Sequence, residues 1–254
     1  MENTDILDRL IQILCDERGE AVPTLSDGQK PVFFRALCNV RPPLPVSDEF
    51  LRLQDKYLYA RQKERGVTDV NAFDYKCGVA LWRGDITRLN ADAIVNACNP
   101  ALLGCFHPLH NCIDNVIHSA AGVQVRLDCN KIMQGREAPN GRVEVTKAYN
   151  LPSKYIFHTV GPIVYKSVSK KDRRDLENCY LSCLNKAAEM ELGTLAFCCI
   201  STGEYRYPKA DACRLAVRTV REWKQRTGNL LKIIFNVYLK EDEELYEREL
   251  AKEN

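Results

Sequence analysis

The strongest constraint on this chain is a series of short apolar segments, each bounded by turn residues and separated by helical periodicity. Residues 79–82, 93–96, 155–160, 195–200 and 231–238 are rich in Val, Ile, Leu and Phe. Runs of that length read as strands buried on both faces. Residues 142–147 add another strand, and residues 113–121, 172–192, 210–226 and 241–252 read as helices. Strands that alternate with helices predict an α/β sandwich with a mixed sheet. Turn residues close the strands at Asp85, Asn99, Gly161 and Gly203. In such folds these ends gather on one edge, where ligand crevices form.

The first 70 residues have a different texture. Ile6, Leu7, Leu10, Ile13 and Leu14 repeat at helical spacing over residues 4–18, with Thr4 as the expected cap and Gly19 as the stop. A second helix is expected over 29–38. A proline-rich connector follows at 41–45. Ser47 then caps a third helix with Phe50, Leu51, Leu53, Tyr57 and Leu58 inward, ending at Gly66. Residues 1–70 are therefore an N-terminal helical extension packed on a main domain at 71–254. The alternative is that they shape a ligand rim.

Composition narrows the function classes. The net charge is +2, and charges of both signs are mixed, so no basic stripe points to nucleic acid. The first residues lack a basic start and an apolar core segment, and no apolar run is long enough to span a membrane. The twelve cysteines include Cys98, Cys183, Cys198 and Cys199 inside apolar patterns. Free thiols there act as small hydrophobes, which predicts a reduced, cytoplasmic protein; a monomer is expected.

Chemistry concentrates after the second strand. Cys105, His110 and Cys112 form C-x4-H-x-C, directly beyond a strand end. Two thiolates and an imidazole suit Zn2+, and three ligands leave one position open. His107 is a fourth candidate that would close the shell. The competing reading is a loop of buried or reactive cysteines. A zinc deaminase is disfavoured, because no histidine here begins the H-x-E pattern. Asp114, two residues after Cys112, is placed to act as a base beside such a metal, or simply to cap the next helix. Asp85 can accept from an amine on a base or close an Asx turn. Of Asn96 and Asn99, one can satisfy backbone while the other holds a sugar hydroxyl. Residues 201–208 form a small-residue loop whose N–H groups can cradle a diphosphate, although no Walker lysine accompanies it. His158, in an apolar strand, reads as a hydrogen-bonded core residue.

Taken together, GDIT at 84–87, DAIVNACN at 92–99, LLG at 102–104, IHSAAG at 117–122, and the stretches 151–162, 200–208 and 235–250 resemble the macrodomain family. The resemblance spans about residues 77–252. It implies a three-layer α/β/α macrodomain that binds ADP-ribose. One departure is informative: the glycine run of the common hydrolytic branch is replaced by the loop with Cys105, His110 and Cys112. This resembles the zinc-containing microbial branch, whose members also carry a helical N-terminal extension, and it makes His107 the weakest ligand candidate. By the same resemblance Asp85 meets the adenine amine, Ile86 contributes backbone, and Tyr238 stacks on adenine. Ser201, Thr202, Gly203, Glu204, Tyr205 and Arg206 form the diphosphate loop, with Tyr205 over the distal ribose. Asn99 and Asp114 are the catalytic pair at that ribose.

Two functions follow. One is zinc-dependent removal of mono-ADP-ribose from modified protein side chains, with ADP-ribose and mono-ADP-ribosylated proteins as partners. The other is a non-catalytic ADP-ribose reader in which zinc is structural. Serine, arginine, acidic and lipoyl-domain attachments are all compatible with the first.

Overall fold

A computed structural model describes residues 3–252, with side chains from residue 5 onward. Helices α1 (Asn3–Arg18), α2 (Lys30–Val40) and α3 (Asp48–Arg65) come first. Ser47 caps α3, its hydroxyl accepting from the Phe50 amide at 3.1 Å. Gly66 stops the helix at φ 75°, a backbone conformation that side chains disfavour. Helix α1 begins at Asn3, so Thr4 lies inside it; the Thr4 side chain is outside the described residues.

The main domain follows as β1 (Val79–Arg83), β2 (Ala93–Ala97), α4 (Ile113–Ala121), α5 (Val123–Met133), β3 (Val143–Lys147), β4 (Tyr155–Thr159), α6 (Lys170–Glu189), β5 (Thr194–Phe197), α7 (Lys209–Thr227), β6 (Lys232–Val237) and α8 (Lys240–Leu250). The sheet order is β1-β6-β5-β2-β4-β3. Every neighbouring pair is parallel except β3 with β4. The mixed sheet is thus as expected, and the parallel strands end on one edge. Helices α6, α7 and α8 pack side by side, and α4 packs with α5.

Helix α5 was not foreseen. It starts on β-branched Val123 and Val125, weak helix signals, and buries the charged Arg126, which breaks the expected polar face. Strand β5 is shorter than expected, ending at Phe197, because Cys198–Ser201 turn away to form a loop. Helix α6 starts earlier, at Lys170, because Ser169 and Asp172 form a reciprocal capping box.

The extension has its own apolar cluster, in which Ile6, Leu10, Phe34 and Phe50 pack together with Val123 of the main domain. Polar contacts add to the docking. Gln54 accepts from the Val123 amide at 2.9 Å, and Gln62 donates to the Asn150 carbonyl at 3.1 Å. The twelve cysteines are all free, most of them buried in the core. No helix among the described residues is long and apolar enough to cross a membrane.

Candidate functional site

Because β1, β6, β5 and β2 are adjacent and parallel, the loops after them lie in that order along one edge. Three strand spacings separate the first from the last, about 14 Å. Asp85 follows β1, Tyr238 follows β6, residues 198–206 follow β5, and Asn99 follows β2. Extended chemistry, from one group at β1 to another at β2, fits this edge.

At the β1 end, Asp85 closes the Asx turn that its position after Gly84 suggested. Its Oδ1 accepts from the Thr87 amide at 3.0 Å and the Thr87 hydroxyl at 2.6 Å, capping a 3-10 turn over Ile86–Arg88. Its Oδ2 faces outward, 3.3 Å from an Arg65 nitrogen on α3. Ile86 is buried beneath it, and Tyr238 is largely exposed.

In the middle, the loop after β5 turns tightly. Ser201 has φ 66° and Arg206 has φ 57°. The Thr202 hydroxyl donates to the Cys199 carbonyl at 3.0 Å, so its role here is to hold the turn. Ser201 is buried, and its Oγ has no hydrogen-bond partner. A Cβ on Gly161 would come within 2.0 Å of that Oγ, so only glycine lets the β4 end sit against this loop. Gly203, Glu204 and Arg206 are exposed, whereas Tyr205 is half-buried with its hydroxyl 3.5 Å from the Cys98 carbonyl.

At the β2 end, Asn99 is engaged by local backbone. Its Nδ2 donates to the Gly104 carbonyl at 3.0 Å and its Oδ1 accepts from the Ala101 amide at 3.1 Å. It therefore shapes the entry to the cysteine–histidine loop. Gly104 has φ 82°, and a Cβ there would press on His118 and Arg126 at 3.1–3.2 Å. The donor atoms of Cys105, His110 and Cys112 lie within 4.8 Å of one another. Cys105 Sγ is 3.4 Å from His110 Nδ1. Cys112 caps α4, its sulfur accepting from the Asn115 amide at 3.4 Å. Without an ion, burial pushes the Cys112 thiol up to about 12, although the Asn115 amide pulls it down. A soft cation matches this set: two sulfurs and an imidazole already converge, and a cation is what would favour both thiolates. His107 is exposed and outside the cluster, its ring 5.9 Å from that of His110. Glu204 reaches across from the β5 loop, with Oε1 3.5 Å from His110 Nε2.

Asp114 sits in the first turn of α4, only 4 % exposed. Burial pushes its carboxyl up to about 6, while the Asn96 hydrogen bond and the Arg126 charge hold it down. Asn96, fully buried in β2, donates from Nδ2 to Asp114 Oδ1 at 2.7 Å. The same nitrogen lies 3.2 Å from His158 Nδ1, and His158 Nε2 lies 2.9 Å from Thr146 Oγ1. This makes Nε2 the protonated nitrogen of His158, with Nδ1 accepting. Burial lowers His158 to about 3 and holds His118 well below the ordinary imidazole range, so both are neutral. The 3.4 Å approach of His118 to Asp114 is consequently not an ion pair.

Three supports of this end, Asn115, Arg35 and Asn39, were not legible in the sequence. Asn115, buried behind the loop, donates to the His107 carbonyl at 3.0 Å. Its Oδ1 accepts from Arg35 of α2 at 2.9 Å, and the same Arg35 nitrogen donates to the His110 carbonyl at 2.9 Å. Asn39, also in α2, accepts from the Leu109 amide at 2.9 Å. The extension therefore holds the cysteine–histidine loop as well as packing on the domain. The only local hint was that Asn115 falls in a helix's first turn.

Comparison with known proteins follows the same outline. Residues 95–216 match the Macro domain family. The chain is 47 % identical over 237 residues to a protein-ADP-ribose hydrolase of Treponema medium, covering 91 % of this chain and 90 % of that one. It is 49 % identical over 218 residues to a protein-ADP-ribose hydrolase of Staphylococcus aureus (strain MRSA252), covering 84 % and 82 %. Among solved structures, the Trypanosoma brucei macrodomain in complex with ADP-ribose superposes with a TM-score of 0.66 at 28 % identity, covering 82 % of this chain and 92 % of that one.

Proposed function

The chain belongs to the Macro domain family, and from that premise we propose that it is a zinc-dependent protein-ADP-ribose hydrolase that removes mono-ADP-ribose from modified side chains. One observation carries the reading: a buried carboxylate, Asp114, stands two residues from Cys112 at the far end of the edge that begins with Asp85. Adenine is held at the near end by the outward oxygen of Asp85, with Ile86 beneath it and Tyr238 free to cover its face. The N–H groups of residues 201–206 receive the diphosphate, and the unpartnered Ser201 hydroxyl adds a donor there. Tyr205 lies over the distal ribose.

Cys105, His110 and Cys112 would hold Zn2+, leaving one position open. When bound, the ion supplies Lewis-acid polarisation of an oxygen it contacts. Glu204 accepts from the Nε2–H of His110, which leaves Nδ1 free toward the cysteines. Asn96 holds Asp114 by Oδ1, which aims Oδ2 as the proton acceptor for water or a ribose hydroxyl. Asn99 keeps the loop entry closed against Gly104. Twelve free cysteines support a reducing, cytoplasmic location.

The test is release of ADP-ribose from proteins modified at serine, arginine and acidic side chains, with metal content measured on the same samples. Zinc-loaded protein is expected to turn over at least one of these substrates. Full turnover by correctly folded, zinc-free protein would refute the metal's role. Saturable ADP-ribose binding without release from any linkage would favour the reader instead.

A further inference from the structure

A cavity of about 490 Å³ lies between the extension and α4, lined by α2, α3, α4, the start of α5, and Leu109 and Asn111 of the cysteine–histidine loop. None of Asp85, Ile86, Asn99, Asp114, Ser201–Arg206 or Tyr238 lines it, so it is separate from the edge described above. Its volume falls in the range of small-molecule sites.

The lining has two chemical parts. Phe34, Tyr57, Leu58, Val116 and Val123 supply an apolar body. Arg35, Arg61, Arg65 and Arg126 supply positive charge; Arg61 is paired with Glu64 at 2.5 Å and Arg65 with Asp85 at 3.3 Å, and no acidic side chain itself lines the cavity. Arg126 is committed: it donates to the carbonyls of Leu103, Cys38, Asn39 and Arg41. Arg35 and Arg65 are only half used. Arg35 spends one terminal nitrogen on the His110 carbonyl and Asn115, and Arg65 spends one on Asp85 and Thr87. In both, Nε is buried without a hydrogen-bond partner. His118 also lines the cavity, but its Nε2 lies 3.4 Å from Asp114 Oδ1 and is turned toward that carboxyl. Buried donors are ordinarily paired, so two orphan guanidinium Nε atoms around one cavity indicate a missing acceptor.

We propose that this cavity binds a small organic carboxylate with an apolar body. Guanidinium groups suit a carboxylate through paired N–H donors, and the hydrophobic wall takes the hydrocarbon. The acceptor meets the free Nε atoms, so the existing contacts of Arg35 and Arg65 to the loop and to Asp85 stay in place. A neutral ligand of equal shape leaves the arginines unanswered and binds more weakly.

The experiment uses the full chain and hexanoate as the probe, with hexanamide as its uncharged counterpart. Calorimetry is expected to show one saturable hexanoate site, with hexanamide weaker by about tenfold or more. Val32 lines the cavity and is 51 % exposed, so Val32→Trp fills the entrance without burdening the core. That variant should lose hexanoate binding at an unchanged melting temperature. Arg61→Gln, on the exposed side of α3, should weaken hexanoate and leave hexanamide unaffected. A crystal grown with hexanoate should place its carboxylate on Arg35 and Arg65. No saturation in the millimolar range, equal affinity for acid and amide, indifference to Val32→Trp, or ordered water alone in the cavity would each overturn the proposal.

Discussion

Asn96 Nδ2 donates to Asp114 Oδ1 across 2.7 Å, joining the buried strand β2 to the first turn of α4. The bond sets the direction of the buried Asp114 carboxyl beside the cysteine–histidine loop. It also ties that carboxylate to His158, which shares the same Asn96 nitrogen at 3.2 Å.

Asn96→Ala removes the donor from both neighbours inside the core. A buried acceptor left unpaired costs about 1–3 kcal/mol. For a domain of this size that lowers the melting temperature by roughly 2–10 °C. Turnover should fall more than ADP-ribose affinity, because Asp114 loses its orientation while the adenine end is untouched. Calorimetry and steady-state kinetics on one substrate check this; an unchanged melting temperature would refute the structural claim.

Asp114→Ala should keep zinc and lose about 10²–10⁴-fold in turnover, the usual contribution of a positioned base. ADP-ribose affinity should change little. Metal content by elemental analysis and single-turnover rates decide it. Wild-type rates in this variant would exclude Asp114 as the base.

Cys112→Ala should release the metal and abolish hydrolysis, whereas His107→Ala should retain both. Binding by Cys105 and Cys112 expels thiol protons, so zinc affinity should rise with pH. Competition with a chelator at several pH values measures this. Zinc loss on replacing the exposed His107 would move the site and restore the closed, structural shell.

Arg35→Ala removes the donor that holds the His110 carbonyl and Asn115. Supports outside the ligand shell typically matter 10–100-fold in metal affinity, and about that loss is expected here. A chain beginning at Asn71 should lose the same support and expose Val123, with lower solubility or a lower melting temperature. Full zinc affinity and an unchanged melt in both would show that the extension is dispensable.

Stability should decline in mild acid through the buried histidines. His158 is lowered to about 3 by burial, so the folded protein resists protonation that the unfolded chain accepts below about 6.5. The stabilisation is therefore complete above pH 6.5 and is lost as pH falls through the window between the two values. By pH 5 the loss is on the order of 2 kcal/mol. His118 shifts in the same direction. Asp114, raised to about 6 by burial, works in the opposite sense over the same window, so urea melts between pH 7.5 and 5 are compared with those of Asp114→Asn, and a flat profile in that variant would contradict neutral burial of these rings.

Much of the architecture was legible in the chain itself. Apolar runs of strand length between helical repeats specify layers, and end signals such as Ser47 and Gly66 act within a few residues of their own backbone. The C-x4-H-x-C spacing is equally local, which is why Cys105, His110 and Cys112 were found and do converge. Helix α5 escaped because its stability comes from packing rather than from propensity: Val123, Val125 and Cys129 are buried against the domain.

Tertiary structure alone decided which polar group serves which role. Asn96 and Asn99 lie three residues apart and read alike, yet β2 buries the first against Asp114 and turns the second onto its own loop backbone. Arg35 and His110 are 75 residues apart, and only the docking of α2 on α4 brings them together. The reach of Glu204 to His110 likewise depends on β5 lying beside β2 in the sheet. Periodicity and capping are properties of neighbouring residues, so a linear chain displays them. The partner of a buried amide or guanidinium is chosen by which distant segment folds against it, and that choice exists only once the core has formed.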